Sequence, residues 1–229
     1  MYLFRYLFLS FSLAFSNTIH YSVDLWGIHA ADIITTYTDT IFQKTPAIKI
    51  EFTTTTTPLI SQFFFVNNSY TTIINKENNT LLSFNKNTTQ PKLNNTISTY
   101  KKNNDLFYSN NDQPVDIFNP NIFTLFYLLQ FGNGMNTVDR DLIIEREGLN
   151  YFGNISSVIN NDETIYDLDL LIDKGQKSLP VYENTDIFTW AVFKPGAKRI
   201  ITISKDKKII KCEFSKGFIK MKAEAIVIQ

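Results

Sequence analysis

The sequence predicts a mainly β chain: a curved antiparallel sheet or open half-barrel with one buried helix at about residues 119–131. Three observations carry this reading. Apolar and polar residues alternate with period two through most of the chain, as in half-buried strands. The C-terminal third divides into alternating segments joined by Lys194-Pro195-Gly196, Lys205-Asp206-Lys207 and Ser215-Lys216-Gly217, the short connections of an antiparallel meander. Residues 119–131 alone carry helical spacing with end signals.

Residues 1–16 read MYLFRYLFLSFSLAFS, with Arg5 the lone charge ahead of an apolar run from Tyr6 to Phe15. Ala14 and Ser16 stand where a signal peptidase reads small side chains. This predicts a cleavable signal peptide over 1–16, cut after Ser16, and a single β-rich domain over 17–229 in the periplasm or outside the cell. The apolar run is half the ~20 residues that a membrane helix needs, so no stable transmembrane span is expected after cleavage.

Residues 20–25 alternate Tyr21, Val23 and Leu25 with polar neighbours and form the first strand; Gly27 ends it and 31–37 follows. Residues 47–53 set Ile48, Ile50 and Phe52 against Lys49 and Glu51, and the threonine run before Pro58 reads as a strand end. Residues 59–66 and 70–74 read as two strands around an Asn67-Asn68-Ser69 turn. Residues 75–111, rich in Asn, Lys and Thr, read as edge strands with long polar loops.

The helix comes next. Asn119 is the expected N-cap, Pro120 the first helical position and Gly132 the stop. Ile122, Leu125, Phe126 and Leu129 fall on one face, which Phe123, Tyr127 and Leu128 widen until burial against a sheet is required. Strands resume at 141–145, 151–158 and 164–172, with Glu145-Arg146-Glu147-Gly148 as a charged hairpin connection. The last four are expected at 187–193, 199–204, 208–214 and 218–228.

Composition narrows the chemistry. With 22 Lys+Arg against 22 Asp+Glu the formal charge is zero, which provides no field for nucleic acid, and none is expected as a partner. A lone cysteine excludes an intrachain disulfide and any multi-cysteine zinc site, and leaves Cys212 for burial in a strand. There is no phosphate loop, nucleophile elbow, His-Glu-x-x-His or Cys-x-x-Cys. His20 and His29, even with Asp24 or Asp32, match no standard ligand spacing, so neither metal nor cofactor is expected. Asp167 and Asp169 project from one strand face about 7 Å apart, a spacing that would suit a carboxylate pair acting on a glycosidic bond. Solvent-facing charge on a sheet is the commoner use, and a non-enzyme is expected.

Four stretches follow a recognisable order. Tyr21 to Ala31 runs a strand into a Gly27-Ile28 turn; Thr57-Pro58-Leu59-Ile60 leads to Phe63-Phe64-Phe65-Val66-Asn67; Asn121-Ile122-Phe123-Thr124-Leu125-Phe126-Tyr127 forms the helix; and Thr189-Trp190-Ala191-Val192 precedes Ala197-Lys198-Arg199-Ile200. This order resembles the DUF3108 family of secreted bacterial proteins, a domain of unknown function. Asn121 stands where that family usually has Asp, Thr124 where it has Ser, Gln130 near a usual Arg and Ile201 near a usual Pro. The resemblance implies a periplasmic or envelope-associated β protein and brings no reaction with it.

Three functional expectations follow. Phe126, Tyr127, Trp190 and Phe193 are the candidate ligand-binding residues, lining a cavity between helix and sheet for a lipid, acyl chain or other apolar ligand. Filling a core is the plainer use of such aromatics. The alternative is a structural or assembly partner that binds another envelope protein through edge strands and Asn-rich loops. The third, and weakest, is a hydrolase using Asp167 and Asp169.

Overall fold

The structure, a computed structural model, describes residues 16–132 and 140–226. The expected signal peptide lies outside the described residues except for Ser16, as do the last positions of the expected final strand.

The chain opens with β1 (Ser16–Leu25), β2 (Ile28–Phe42), β3 (Thr45–Thr56), the single turn α1 (Pro58–Ser61) and β4 (Asn67–Asn75). It continues through β5 (Leu81–Gln90), β6 (Leu93–Lys102), β7 (Asp105–Tyr108) and β8 (Pro114–Val115) to α2 (Ile122–Phe131). After α2 come β9 (Arg140–Arg146), β10 (Leu149–Asn160), β11 (Glu163–Ile172), α3 (Ile187–Phe193), β12 (Lys198–Ser204), β13 (Ile209–Lys216) and β14 (Ile219–Ala225). All 14 strands form one antiparallel sheet in the order β8 to β1, then β14 to β9. Two meanders thus meet at the middle, where Tyr21 pairs with Ala225 and Leu25 with Met221.

The sheet curls without closing. Its outer strands β8 and β9 share no ladder, yet side chains bridge the seam between them. Tyr108 OH donates to Glu145 Oε1 at 2.6 Å, and Gln113 Nε2 donates to the Gly148 carbonyl at 2.7 Å. Tight hairpins make the strands long. Trp26-Gly27, Gln43-Lys44, Asn103-Asn104 and Glu147-Gly148 each hold two successive positive φ angles, the turn whose twist matches paired strands. The expected long loops over 75–111 are therefore short turns between β5, β6 and β7.

Helix α2 starts two residues later than expected. Asn121, not Asn119, is its cap: Oδ1 accepts from Thr124 N at 2.9 Å, while Nδ2 donates to Thr72 Oγ1 at 3.1 Å on β4. Pro120 precedes the cap, and its carbonyl accepts from Glu145 N. At the other end the Gly132 backbone approaches so closely that a Cβ there would lie 2.5 Å from the Leu128 carbonyl oxygen.

Two expected strands are not strands. Residues 187–193 form helix α3, so α2 is not the one helix of the fold. The β-favouring residues are overruled at both ends. Asp186 caps the start, accepting from Thr189 N at 2.9 Å, and the buried Arg199 guanidinium holds the carbonyls of Val192, Lys194 and Ala197 at the finish. A cation there also meets the negative end of the peptide dipoles. Residues 59–66 form α1 and a loop that exposes Phe63, Phe64 and Phe65. Thr56 and Val66 exchange hydrogen bonds across its neck, so the apolar run bulges out instead of pairing.

Candidate functional site

A largely apolar cavity of about 240 Å³ lies between the middle of the sheet and the helices. Tyr21, Ile33 and Phe52 supply its floor from β1, β2 and β3, while Ile201 and Cys212 close it from β12 and β13. Phe126 enters from α2. From α3 come Ile187, Phe188, Ala191 and Val192, one face of a helix. Half-exposed Leu25, Ile60 and Met221 together with Phe64 mark the side where it meets solvent. Burial pushes the Cys212 thiol up to about 12, so it lines the wall as a small apolar group rather than a nucleophile. The wall carries few polar groups; among them Thr54 Oγ1 is buried with no hydrogen-bond partner.

The four candidate ligand residues separate. Phe126 lines the cavity. Tyr127 instead packs on Tyr37 and Phe131, Trp190 lies against Phe214 with Lys194 over its ring, and buried Phe193 meets Tyr151. None of these three is in the lining. A strand at 187–193 would have put Trp190 on the same face as Phe188; the helix turns it away and brings Ala191 and Val192 round instead. The strand period expected for this segment hides these neighbours, which only the helical period brings to one face.

A second interior is ionic. Lys86 on β5, Glu147 in the β9–β10 turn and Asp186 ahead of α3 converge where the sheet seam lies. Lys86 and Asp186 are each 0% exposed. Lys86 Nζ stands 2.6 Å from Asp186 Oδ2 and 2.5 Å from Glu147 Oε1. Tyr70 OH donates to Asp186 Oδ1 at 2.6 Å and Thr189 Oγ1 to Oδ2 at 2.6 Å. Burial pushes the Asp186 carboxyl up, but the Lys86 charge and these donors outweigh it and hold the group below its ordinary value. Beside the cluster, burial raises Glu145 to about 7 despite the bonds from Tyr108 OH and Gly148 N. Glu145 and Glu147, expected in a charged hairpin connection, are both buried. A signal for Lys86 was present: it falls in phase with buried Phe84 and Thr88, while Asn85 and Asn87 point out.

The remaining candidates are superficial. His29 Nε2 lies 2.9 Å from Asp32 Oδ1 in solvent, and among the described residues no three His, Cys, Asp or Glu side chains are grouped to hold a metal. Asp167 and Asp169 are exposed on β11 beside Asn154 and Lys198 in a shallow polar depression. No helix among the described residues is long and apolar enough to cross a membrane.

No family model matches the chain, DUF3108 included, and no curated protein matches it. A solved structure does. It is a beta-barrel-like protein of domain of unknown function DUF1849 from Brucella abortus, with a TM-score of 0.55 over 91% of this chain and 95% of that one, at 8% identity. The likeness is one of fold. The chain thus has a β-barrel-like antiparallel fold, and this structural neighbour is a domain of unknown function and not a known enzyme.

Proposed function

We propose that this chain is an exported, non-enzymatic β protein that holds an apolar ligand between its sheet and helices α2 and α3. The cavity carries the reading. Protein interiors are packed to crystal density, and an apolar recess left open on one side keeps its lining in contact with water, a cost that an apolar guest relieves. Its volume exceeds the roughly 150 Å³ that accommodates benzene, and a single acyl chain or comparable hydrocarbon suits it. Native mass spectrometry of protein exported to a bacterial periplasm and purified without detergent tests this. A discrete added mass, lost on organic extraction, is expected. A bare chain that stays bare after incubation with envelope lipids would sink the carrier.

A second reading, an assembly partner for another envelope protein, is favoured by the loops around the cavity mouth. Trp26, Phe63 and Phe218 are 59%, 83% and 80% exposed. Trp26 Nε1 donates to the Phe218 carbonyl, joining the β1–β2 and β13–β14 turns, and Thr57 bonds His29 and Ala30 to bring the α1 loop alongside. Such an apolar rim marks a contact surface. Crosslinking in intact cells separates the readings: an envelope protein captured through this rim by a chain that carries no ligand would favour the assembly role.

A further inference from the structure

The ionic interior is composed for more than an ion pair. One lysine meets two carboxylates, and all three side chains are excluded from solvent. The Asp186 carboxyl is oriented atom by atom. Its Oδ1 accepts from Tyr70 OH and Thr189 N, two donors aimed at one oxygen, while Oδ2 faces Lys86 Nζ and Thr189 Oγ1. Aromatic rings wall the site: Tyr70 lies 4.7 Å from Phe123 and 5.7 Å from Phe52, with Lys86 Nζ 5.9 Å from the Tyr70 centroid. A primary amine, a carboxyl with a two-donor oxyanion site, and a second carboxylate touching the same amine are the components of acyl transfer.

We propose that Lys86 and Asp186 condense into an intramolecular isopeptide bond, with Glu147 as the proton shuttle. Glu147 takes a proton from the Lys86 ammonium and passes it to Asp186 Oδ2, which gives the neutral amine and neutral acid that the attack requires. Nζ attacks Cγ, and the charge developing on Oδ1 is held by Tyr70 OH and Thr189 N–H. Glu147 then carries a second proton from the nitrogen to Oδ2. The Cγ–Oδ2 bond breaks, water leaves and the Nζ–Cγ amide remains. Of the three ammonium hydrogens one stays on the amide nitrogen and two leave in the water; the positive and negative charges cancel, Glu147 returns as a carboxylate, and no oxidant or cofactor is consumed. Oriented intramolecular reactants reach effective molarities of about 10⁵–10⁸ M, which offsets the reluctance of an acid and amine to condense in water. The bond fastens β5 to the cap of α3 across the seam and forms whether or not the cavity holds a ligand.

The test is a peptide map of the full chain, purified folded, then denatured and digested. Expected are an intact mass lower by one water molecule and a branched peptide joining the segments that contain Lys86 and Asp186. Glu147→Gln, with its fold checked by circular dichroism, should keep the full mass and give the two linear peptides. The wild-type map decides the bond even if that variant fails to fold. Full mass with both linear peptides after prolonged incubation of the folded chain overturns the proposal, as does a water loss mapped to any other residue. A folded Glu147→Gln chain that still cross-links at the wild-type rate removes Glu147 from the role of shuttle.

Discussion

Helix α3 separates two interiors of opposite character. Its side chains Ile187, Phe188, Ala191 and Val192 border a space that no protein atom fills, while the carboxyl of its cap, Asp186, has hydrogen-bond donors on both oxygens. The apolar interior is under-packed and undirected; the ionic one is crowded and every contact is directional. One seven-residue helix thus presents a face to a region able to admit a guest and is anchored in one with no room to move. The seam of the open sheet is secured at the polar site, which leaves the apolar face free to vary in what it encloses.

The sharpest way to break this contrast is to remove the cation. Lys86→Met would remove the cation that Glu147 and Asp186 share before condensation and the amide formed after it, and losing one member of a buried ionic group already costs about 3–5 kcal/mol. Urea unfolding should show that loss; a shift under ~1 kcal/mol would mean that water reaches the cluster and that the two interiors do not differ as described. Next in size is the titration of Glu145. Its folded pKa, about 7, lies above the unfolded value, so the folded chain retains a proton that the unfolded chain releases. Stability should therefore fall as pH rises from ordinary glutamate values to about 7 and then level off, by on the order of 3 kcal/mol in all. Glu145→Gln should remove that slope. An unchanged slope in the variant would move its origin to another group.

The apolar interior should respond the other way, in ligand rather than in stability. Ala191→Leu pushes into the cavity from α3 and should reduce retained ligand at least tenfold in native mass spectra, with a stability change within the ~1–3 kcal/mol typical of core enlargement. Trp190→Ala, which strips a side chain from against Phe214 outside the lining, should leave ligand in place. If Trp190→Ala emptied the protein and Ala191→Leu did not, the face assigned to the cavity would be the wrong one.

What was readable in the sequence follows the same division. Strand alternation reports which side faces inward, and β1 to β3 and β10 to β14 were visible by that signal alone. Residues 187–193 were not, because Ile, Phe, Thr, Trp and Val are intrinsically strand-prone and the helix is imposed by its ends. The cue was Asp186 three residues before Thr189, a capping arrangement that outweighs propensity in so short a segment. The α1 loop misled for a related reason: Phe63-Phe64-Phe65 is apolar without alternation, so it carried hydrophobicity but no facing. The ionic cluster has members far apart in sequence, and each alone looks like ordinary surface charge. Only the phase of Lys86 within β5 betrayed it. Of the four proposed ligand residues, Phe126 lay on a helix identified from its own periodicity, and it is the one that reaches the cavity.

The smallest effect belongs to the outer face, which both interiors share. Along β11, Leu168 and Leu170 are buried and the intervening Asp167 and Asp169 are exposed, so these carboxylates stand on the far side of the sheet from the cavity. Whatever they do, they do in solvent. Their one inward influence is electrostatic: both carboxylates oppose the pull of burial on the Arg199 guanidinium, which holds the end of α3. Asp167→Asn with Asp169→Asn should therefore change stability by less than ~0.5 kcal/mol and leave bound ligand untouched. A larger loss of stability would show that Arg199 depends on outer charge, so that the sheet transmits between its two faces. Loss of ligand with stability intact would instead carry the functional surface to the outer face of the sheet.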